Sequence, residues 1–296
     1  MSAPIAATPK PAASALPALP RARNTADTLI PYVSVLYVGT PKSGKSTCAL
    51  SWPDPLVLDF GSNLAALQGS HDLPYLKGTD IAADSTGIIT RLERIIIPAI
   101  ANGRVGEITD KPIRTIVFED LACLLGEHLD KVVRGAKESL NGFDDYGTFG
   151  HKAENLILKM VNLTYAGFNV VATIHLGERG GEDIRQKIDG KWEITGQKPI
   201  KRRPIVSGQF RDIICGRFDN ALLTQRHLTK KLQKNAAGVI ETVDVAEYYV
   251  YTINPDSTYE GIGQGLGREG GKFNPLPPKV DGRYPALAKA WGLDTK

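Results

Sequence analysis

Eight consecutive residues carry the plainest chemistry in this chain: Gly39-Thr40-Pro41-Lys42-Ser43-Gly44-Lys45-Ser46, followed by Thr47. The spacing is that of a P-loop. Its glycines let the backbone turn tightly, so that successive N–H groups converge on one anion. Lys45 is placed to neutralise β- and γ-phosphates, and the Ser46 hydroxyl can ligate Mg²⁺. The expected ligands are therefore ATP, held by residues 39–47, and Mg²⁺. Such a site also needs a carboxylate at the end of a neighbouring strand, to hold the ion and polarise water. Thr115-Ile116-Val117-Phe118 leads straight into Glu119 and Asp120. Glu119 is the first candidate for the Mg²⁺ shell and Asp120 the second. Asp120 reads equally well as a helix N-cap, and both roles are compatible. Asp59 and His175 each end another apolar run. Asp59 is a candidate for the cofactor site or a turn-initiating residue. His175 is a candidate γ-phosphate sensor or a structural histidine.

These residues need elements to place them. Tyr32–Val38 is rich in β-branched and aromatic residues and reads as a buried strand, with a helix opening at Ser46–Leu50. Further strands are expected at 56–59, 113–118 and 169–174. Helices are expected at 86–100, 121–133 and 152–166, from apolar residues at helical spacing. Strands alternating with helices predict an α/β fold: a mostly parallel, twisted sheet with helices on both faces. In such sheets ligands bind at the carboxyl ends of the strands, where all the candidate residues fall. After His175 the character changes. Residues 177–206 are Gly-rich, basic and aperiodic, and read as an irregular loop. β-like runs follow at 220–223 and 247–252, then a Gly/Pro-rich end with a short helix at 285–291. The expected organisation is a disordered Pro/Ala tail at 1–27, a nucleotide-binding domain at 28–255 and a β-rich C-terminal extension at 256–296.

Composition narrows the class. The chain has 296 residues, 42 % of them apolar and 23 % charged, as in ordinary globular proteins. No apolar run approaches the ~18 residues of a membrane span, and residues 1–27 lack the apolar core of a secretory signal. Cys48, Cys123 and Cys215 stand far apart, which argues against zinc or a disulfide framework and suits a reducing, cytoplasmic setting. The net charge of +4 is uneven: residues 176–235 hold 14 Lys/Arg against 7 Asp/Glu. Within that block Arg185, Lys187, Lys191, Lys198, Lys201, Arg202 and Arg203 are interleaved with Trp192 and Phe210. Cations plus aromatic rings are the means of binding single-stranded nucleic acid; a solvated loop is the alternative. Gly265–Gly270 matches G-x-G-x-x-G, but prolines rather than a helix follow it, so it reads as turns.

Several segments together resemble one family: 39–47, Trp52–Asp59, Thr115–Asp120, Asp145-Tyr146-Gly147, Val170–His175 and Phe210…Phe218-Asp219. They are similar to phage-encoded, RecA-like P-loop proteins of recombination, over roughly residues 30–255. The resemblance implies a RecA-like core binding ATP at subunit boundaries, in a ring or filament of identical chains in the host cytoplasm. It implies single-stranded DNA as partner, a single-strand-binding protein as a possible second partner, and annealing or recombination as the task. It would put Lys45, Glu119, Asp120 and His175 in the catalytic centre. The loop after His175 would be one DNA-binding loop, and residues 141–151 would lie near another.

Two positions depart from that pattern. The acid at the end of the third strand is Glu119 where such folds more often have Asp. The position two beyond Asp59, where RecA-like ATPases carry a catalytic Glu, is Gly61. Without a carboxylate to orient water, hydrolysis should be slow. A helicase-loader or packaging ATPase, and a small-molecule kinase with residues 177–206 as its lid, are the alternatives at this point.

Overall fold

The computed structural model describes residues 32–61, 72–180, 183–188, 191–197, 200–208, 210–234, 240–253, 255, 258–259, 262–264 and 273–293. The expected tail at 1–27, Lys198 and Gly265–Gly270 lie outside them. β1 (Ser34–Gly39) is buried along its whole length, as its unbroken run of apolar and small residues requires of a central strand. The P-loop follows, then the short helix α1 (Lys45–Leu50). β2 (Pro55–Asp59), β3 (Tyr75–Lys77), β4 (Thr115–Glu119) and β5 (Asn169–Arg179) come next in the sheet. Between them run α2 (Gly78–Ile81), α3 (Ser85–Arg91), α4 (Ile97–Ala101), α5 (Leu121–Cys123), α6 (Asp130–Arg134) and α7 (Gly142–Val161). A π-helical stretch, Leu92–Ile96, joins α3 to α4, and another, Leu124–Leu129, joins α5 to α6.

After β5 come a hairpin of β6 (Asp183–Ile188) with β7 (Lys191–Gln197), then β8 (Lys201–Pro204) and α8 (Phe210–Ile213). Two long strands, β9 (Asn220–Lys234) and β10 (Ile240–Tyr251), are followed by β11 (Gly263–Gln264), β12 (Lys279–Asp281) and α9 (Tyr284–Trp291). The main sheet has the order β12-β10-β9-β1-β5-β4-β2-β3. Its β9-to-β3 part is parallel, while β10 and β12 join antiparallel. This is the mostly parallel α/β sheet the alternation predicts, with a strand-rich C-terminal part.

Helices cover both faces. On one, α3 to α8 pack Leu92, Ile100, Leu121, Leu124, Phe149, Leu156 and Ile157 onto Leu36, Leu58, Ile116 and Phe118. On the other, α1 and α9 bring Cys48, Ala49, Leu287 and Trp291 against Tyr37, Val57 and Val117. Residues 279–293 therefore contribute to the core under the P-loop helix. The Tyr37 hydroxyl, fully buried, donates to the Gly282 carbonyl at 2.8 Å and accepts from Trp52 Nε1 at 3.0 Å.

Two expectations from the sequence are corrected. The described part of the basic segment 177–206 is mostly strand, not irregular loop: β5 runs past His175, and β8 pairs with it antiparallel, Gly177 opposite Arg203 and Glu178 opposite Arg202. Ladder hydrogen bonds between distant residues organise it, so no short-range period announces it. α7 begins ten residues earlier than its predicted start at 152. Gly147 and Gly150 face open space on this helix, while Phe149 and Ala153 continue its buried side. Among the described residues no helix is long and apolar enough to cross a membrane.

Candidate nucleotide site

The register of the parallel strands lines the candidate residues up on one edge. Gly39 pairs with His175, and Asp59 with Glu119. The chain then turns through Thr40–Gly44 over the end of β1. Lys42 and Gly44 adopt positive φ (63° and 98°), and Gly44 sits at the N-cap of α1. Gly44 has a second reason to be glycine: an added Cβ would lie 2.1 Å from the Tyr248 ring of β10. At Gly39 a Cβ would meet Ser43 Oγ at 2.4 Å and the Thr224 carbonyl at 2.9 Å.

Inside this turn Lys45 is buried, and its ammonium donates to the Gly39 and Thr40 carbonyls at 3.1 and 3.0 Å. A third hydrogen bond goes to His175 Nδ1 at 3.1 Å. Since an ammonium can only donate, Nδ1 accepts, and the imidazole proton belongs on Nε2. Nε2 stands 3.2 Å from Asp120 Oδ2. The other Asp120 oxygen accepts from the Ala122 N–H at 2.9 Å and caps α5. Asp120 thus plays the N-cap role and also anchors His175. The Glu119–Asp120 peptide bond is cis.

Glu119 accepts from the Ser46 hydroxyl at 2.6 Å. Burial pushes its carboxyl up to about 7, against smaller effects from the Ser46 hydrogen bond and from Lys45. Burial likewise lowers the Lys45 ammonium, with Glu119 and Asp120 opposing. Both groups are charged more cheaply beside a ligand of opposite sign. The buried Ser43 hydroxyl has no hydrogen-bond partner among the described residues.

These features fit a magnesium nucleotide. A lysine rests on loop carbonyls, a hydroxyl of α1 meets a carboxylate at the end of β4, and an orphaned hydroxyl sits in a loop that holds two residues of positive φ. The model of the AAA domain matches residues 32–255. The chain belongs to the AAA domain family. A search of curated proteins found no match.

The AAA domain thus gathers Lys45, Ser46, Glu119, Asp120 and His175 into direct contact. Asp59 is buried beside Glu119 at the end of β2. The nucleic-acid candidates are more scattered. Arg185 and Lys187 lie on β6 and Lys191 on β7, while Lys201, Arg202 and Arg203 lie on β8. Arg202 is ion-paired to Glu178 at 2.8 Å, and its guanidinium stacks 5.1 Å from the centre of the Tyr259 ring. Phe210, expected as an exposed stacking ring, is only 2 % exposed; it packs into the core from α8, because a helix and not a loop carries it. Two aromatic residues on α7 are exposed instead, Phe143 (89 %) and Tyr146 (44 %). Both lie in the 141–151 stretch, and their aromatic character was the available signal. Tyr248, Thr224 and Tyr259 near the P-loop had no local signal, since long-range strand pairing brings them there.

Proposed function

We propose that this AAA domain is a RecA-like ATPase that couples ATP binding to the binding of single-stranded DNA, in annealing or recombination during phage DNA metabolism. Lys45 would hold the β/γ-phosphates, and Ser46 and Glu119 would hold Mg²⁺. When bound, the ion neutralises phosphate charge. His175, fixed by Asp120, would respond to the γ-phosphate through the same nitrogen that now meets Lys45.

The observation that carries this reading is the course of β5. Its His175 side chain touches Lys45 and Asp120, while its His175 carbonyl accepts from the Ile205 N–H at 2.8 Å. The next residues pair with β8, which carries Lys201, Arg202 and Arg203. A nucleotide that takes Lys45 away from His175 therefore acts on the strand that positions the basic segment. The exposed Phe143 and Tyr146 support the DNA reading, because base stacking needs accessible rings. The Tyr146 ring adjoins Gly208, a few residues beyond β8.

The test is binding of a labelled single-stranded oligonucleotide by fluorescence anisotropy, with and without ATP and over a salt series. ATP should change the affinity. Lys201→Ala with Arg203→Ala should lower the slope of log K against log salt by ~0.7 for each phosphate no longer neutralised. Equal affinity in all nucleotide states, with a wild-type slope in the double variant, would refute the coupling.

A further inference from the structure

β9 outruns the sheet that holds it. β1 pairs with it only from Asn220 to Leu223, whereas β10 follows it to Lys234. From Leu228 onward β9 is one strand of a two-stranded ribbon, exposed at every position. Among the described residues no strand pairs with its outer edge there.

Such an edge carries unpaired N–H and C=O groups, a template for a further strand. Its side chains are equally open. Leu232 is 76 % exposed and Leu228 63 %. Side chains two apart share a face, so Leu228, Lys230, Leu232 and Lys234 alternate apolar and cationic along one face. Lys230 and Lys234 are in no ion pair among the described residues, while Lys231, on the other face, meets Glu247 at 2.8 Å.

β10 shows what suits this strand. It is acidic where β9 is basic: Glu241, Asp244 and Glu247 run beside Lys230, Lys231 and Lys234, with no acid from Gln225 to Lys234 and no cation from Ile240 to Tyr248. Across the ladder Asp244 stands opposite Lys230, and Ala246 opposite Leu228. Strand side chains project from the sheet and meet neighbours on either edge. The outer edge therefore offers to solvent the same apolar and cationic rows that the inner edge offers to β10. Nucleic acid suits it less well. The β10 carboxylates oppose a polyanion lying across the ribbon, and leucines give a base no ring to stack on.

We propose that the outer edge of β9, from Leu228 to Lys234, docks an extended acidic segment of another protein. The segment adds as a strand, with carboxylates against Lys230 and Lys234 and apolar side chains against Leu228 and Leu232. Backbone hydrogen bonds supply affinity and the alternating side chains supply selectivity. The surface is separate from the nucleotide site, so this inference stands or falls independently of the proposed function.

The probe is a fluorescent synthetic peptide with the sequence of Ile240–Tyr248, followed by anisotropy on the full chain. Wild type should bind it saturably. Lys230→Glu with Lys234→Glu, both at exposed positions, should weaken binding at least ~tenfold, and a peptide with its three acids replaced by lysine should show the reverse preference. Leu232→Ser should weaken binding several-fold. Methylating alternate backbone nitrogens of the peptide, on one edge or the other, should abolish binding for one of the two peptides, because an added strand bonds through a single edge; this arm needs no altered protein. No saturable binding, or binding that neither the charge variants nor methylation changes, would overturn the proposal. So would displacement of the peptide by single-stranded DNA that itself loses affinity in the charge variant, which would assign the edge to nucleic acid. Sedimentation showing an oligomer that the charge variant dissociates would assign it to a second copy, and the proposal would fall there too.

Discussion

Under the proposed function, Ser46 and Glu119 are the residues on which metal binding would turn. Their 2.6 Å hydrogen bond joins two groups that a Mg²⁺ ion would be expected to share. Ser46→Ala should therefore abolish most of the gain in ATP affinity that Mg²⁺ brings, with a smaller effect in EDTA. Titrations with and without the ion measure this, and an unchanged gain would remove the hydroxyl from the ligand set. Glu119 supplies a pH signature. Its carboxyl is raised by burial from 4.5 to about 7, so between those values the folded chain holds a proton that the unfolded chain has lost. In the absence of metal its contribution to stability must then fall as pH rises through that window, and be fully retained below it. Glu119→Gln should flatten this part of the pH dependence of the urea midpoint in EDTA, between about pH 5 and pH 7.5. A variant that tracks wild type across that range would contradict the burial argument. Lys45, Ser46, Glu119, Asp120 and His175 were legible in the sequence because each ends an apolar run or sits in a fixed local spacing. Their mutual contacts follow from the parallel register of β1, β5 and β4 together with the turn of the P-loop into α1.

At the scale of elements, legibility depended on how local the cause was. β1, β2 and β4 announce themselves as short β-branched runs, and α3 and α4 by apolar spacing. β8 and the far half of β5 do not, because Lys201–Arg203 and Gly177–Arg179 become strands only by pairing with each other. β9 and β10 likewise bring Thr224 and Tyr248 to the P-loop from far along the chain. That approach makes a prediction. Gly44→Ala should damage the loop twice over, by forcing a side chain into positive φ and against the Tyr248 ring. Tyr248→Ala in the same chain relieves only the second fault, so it should restore part of the lost stability and not all of it. Thermal melts of the single and double variants read this; full restoration would mean that φ costs little here. α9 makes another. Trp291 is fully buried against α1 and β1, so Trp291→Ala should cost about 3–5 kcal/mol of folding stability. A change below ~1 kcal/mol in urea denaturation would mean that the C-terminal helix is a dispensable appendage.

Across the whole molecule, the carboxyl edge of the sheet gathers Lys45, Ser46, Glu119, Asp120 and His175 over β1, β5 and β4, and the basic segment hangs from β5. The fold class was readable from the alternation of strands and helices. The burial of α9 beneath α1 was not, because a short Pro- and Gly-flanked helix gives no sign of what it packs against. Gly61, two residues past the buried Asp59, leaves that position without a carboxylate. Steady-state turnover should accordingly lie well below the ~10 s⁻¹ typical of enzymes, measured by phosphate release with and without single-stranded DNA; turnover at an ordinary rate would require another group to activate water. All of this rests on Lys45 meeting phosphate. The most direct measurement is calorimetric titration of Mg·ATP into the wild-type chain and Lys45→Ala. Saturable one-site binding that weakens at least ~tenfold in the variant is the predicted result. Equal affinity in the two chains, with both folded, would contradict it.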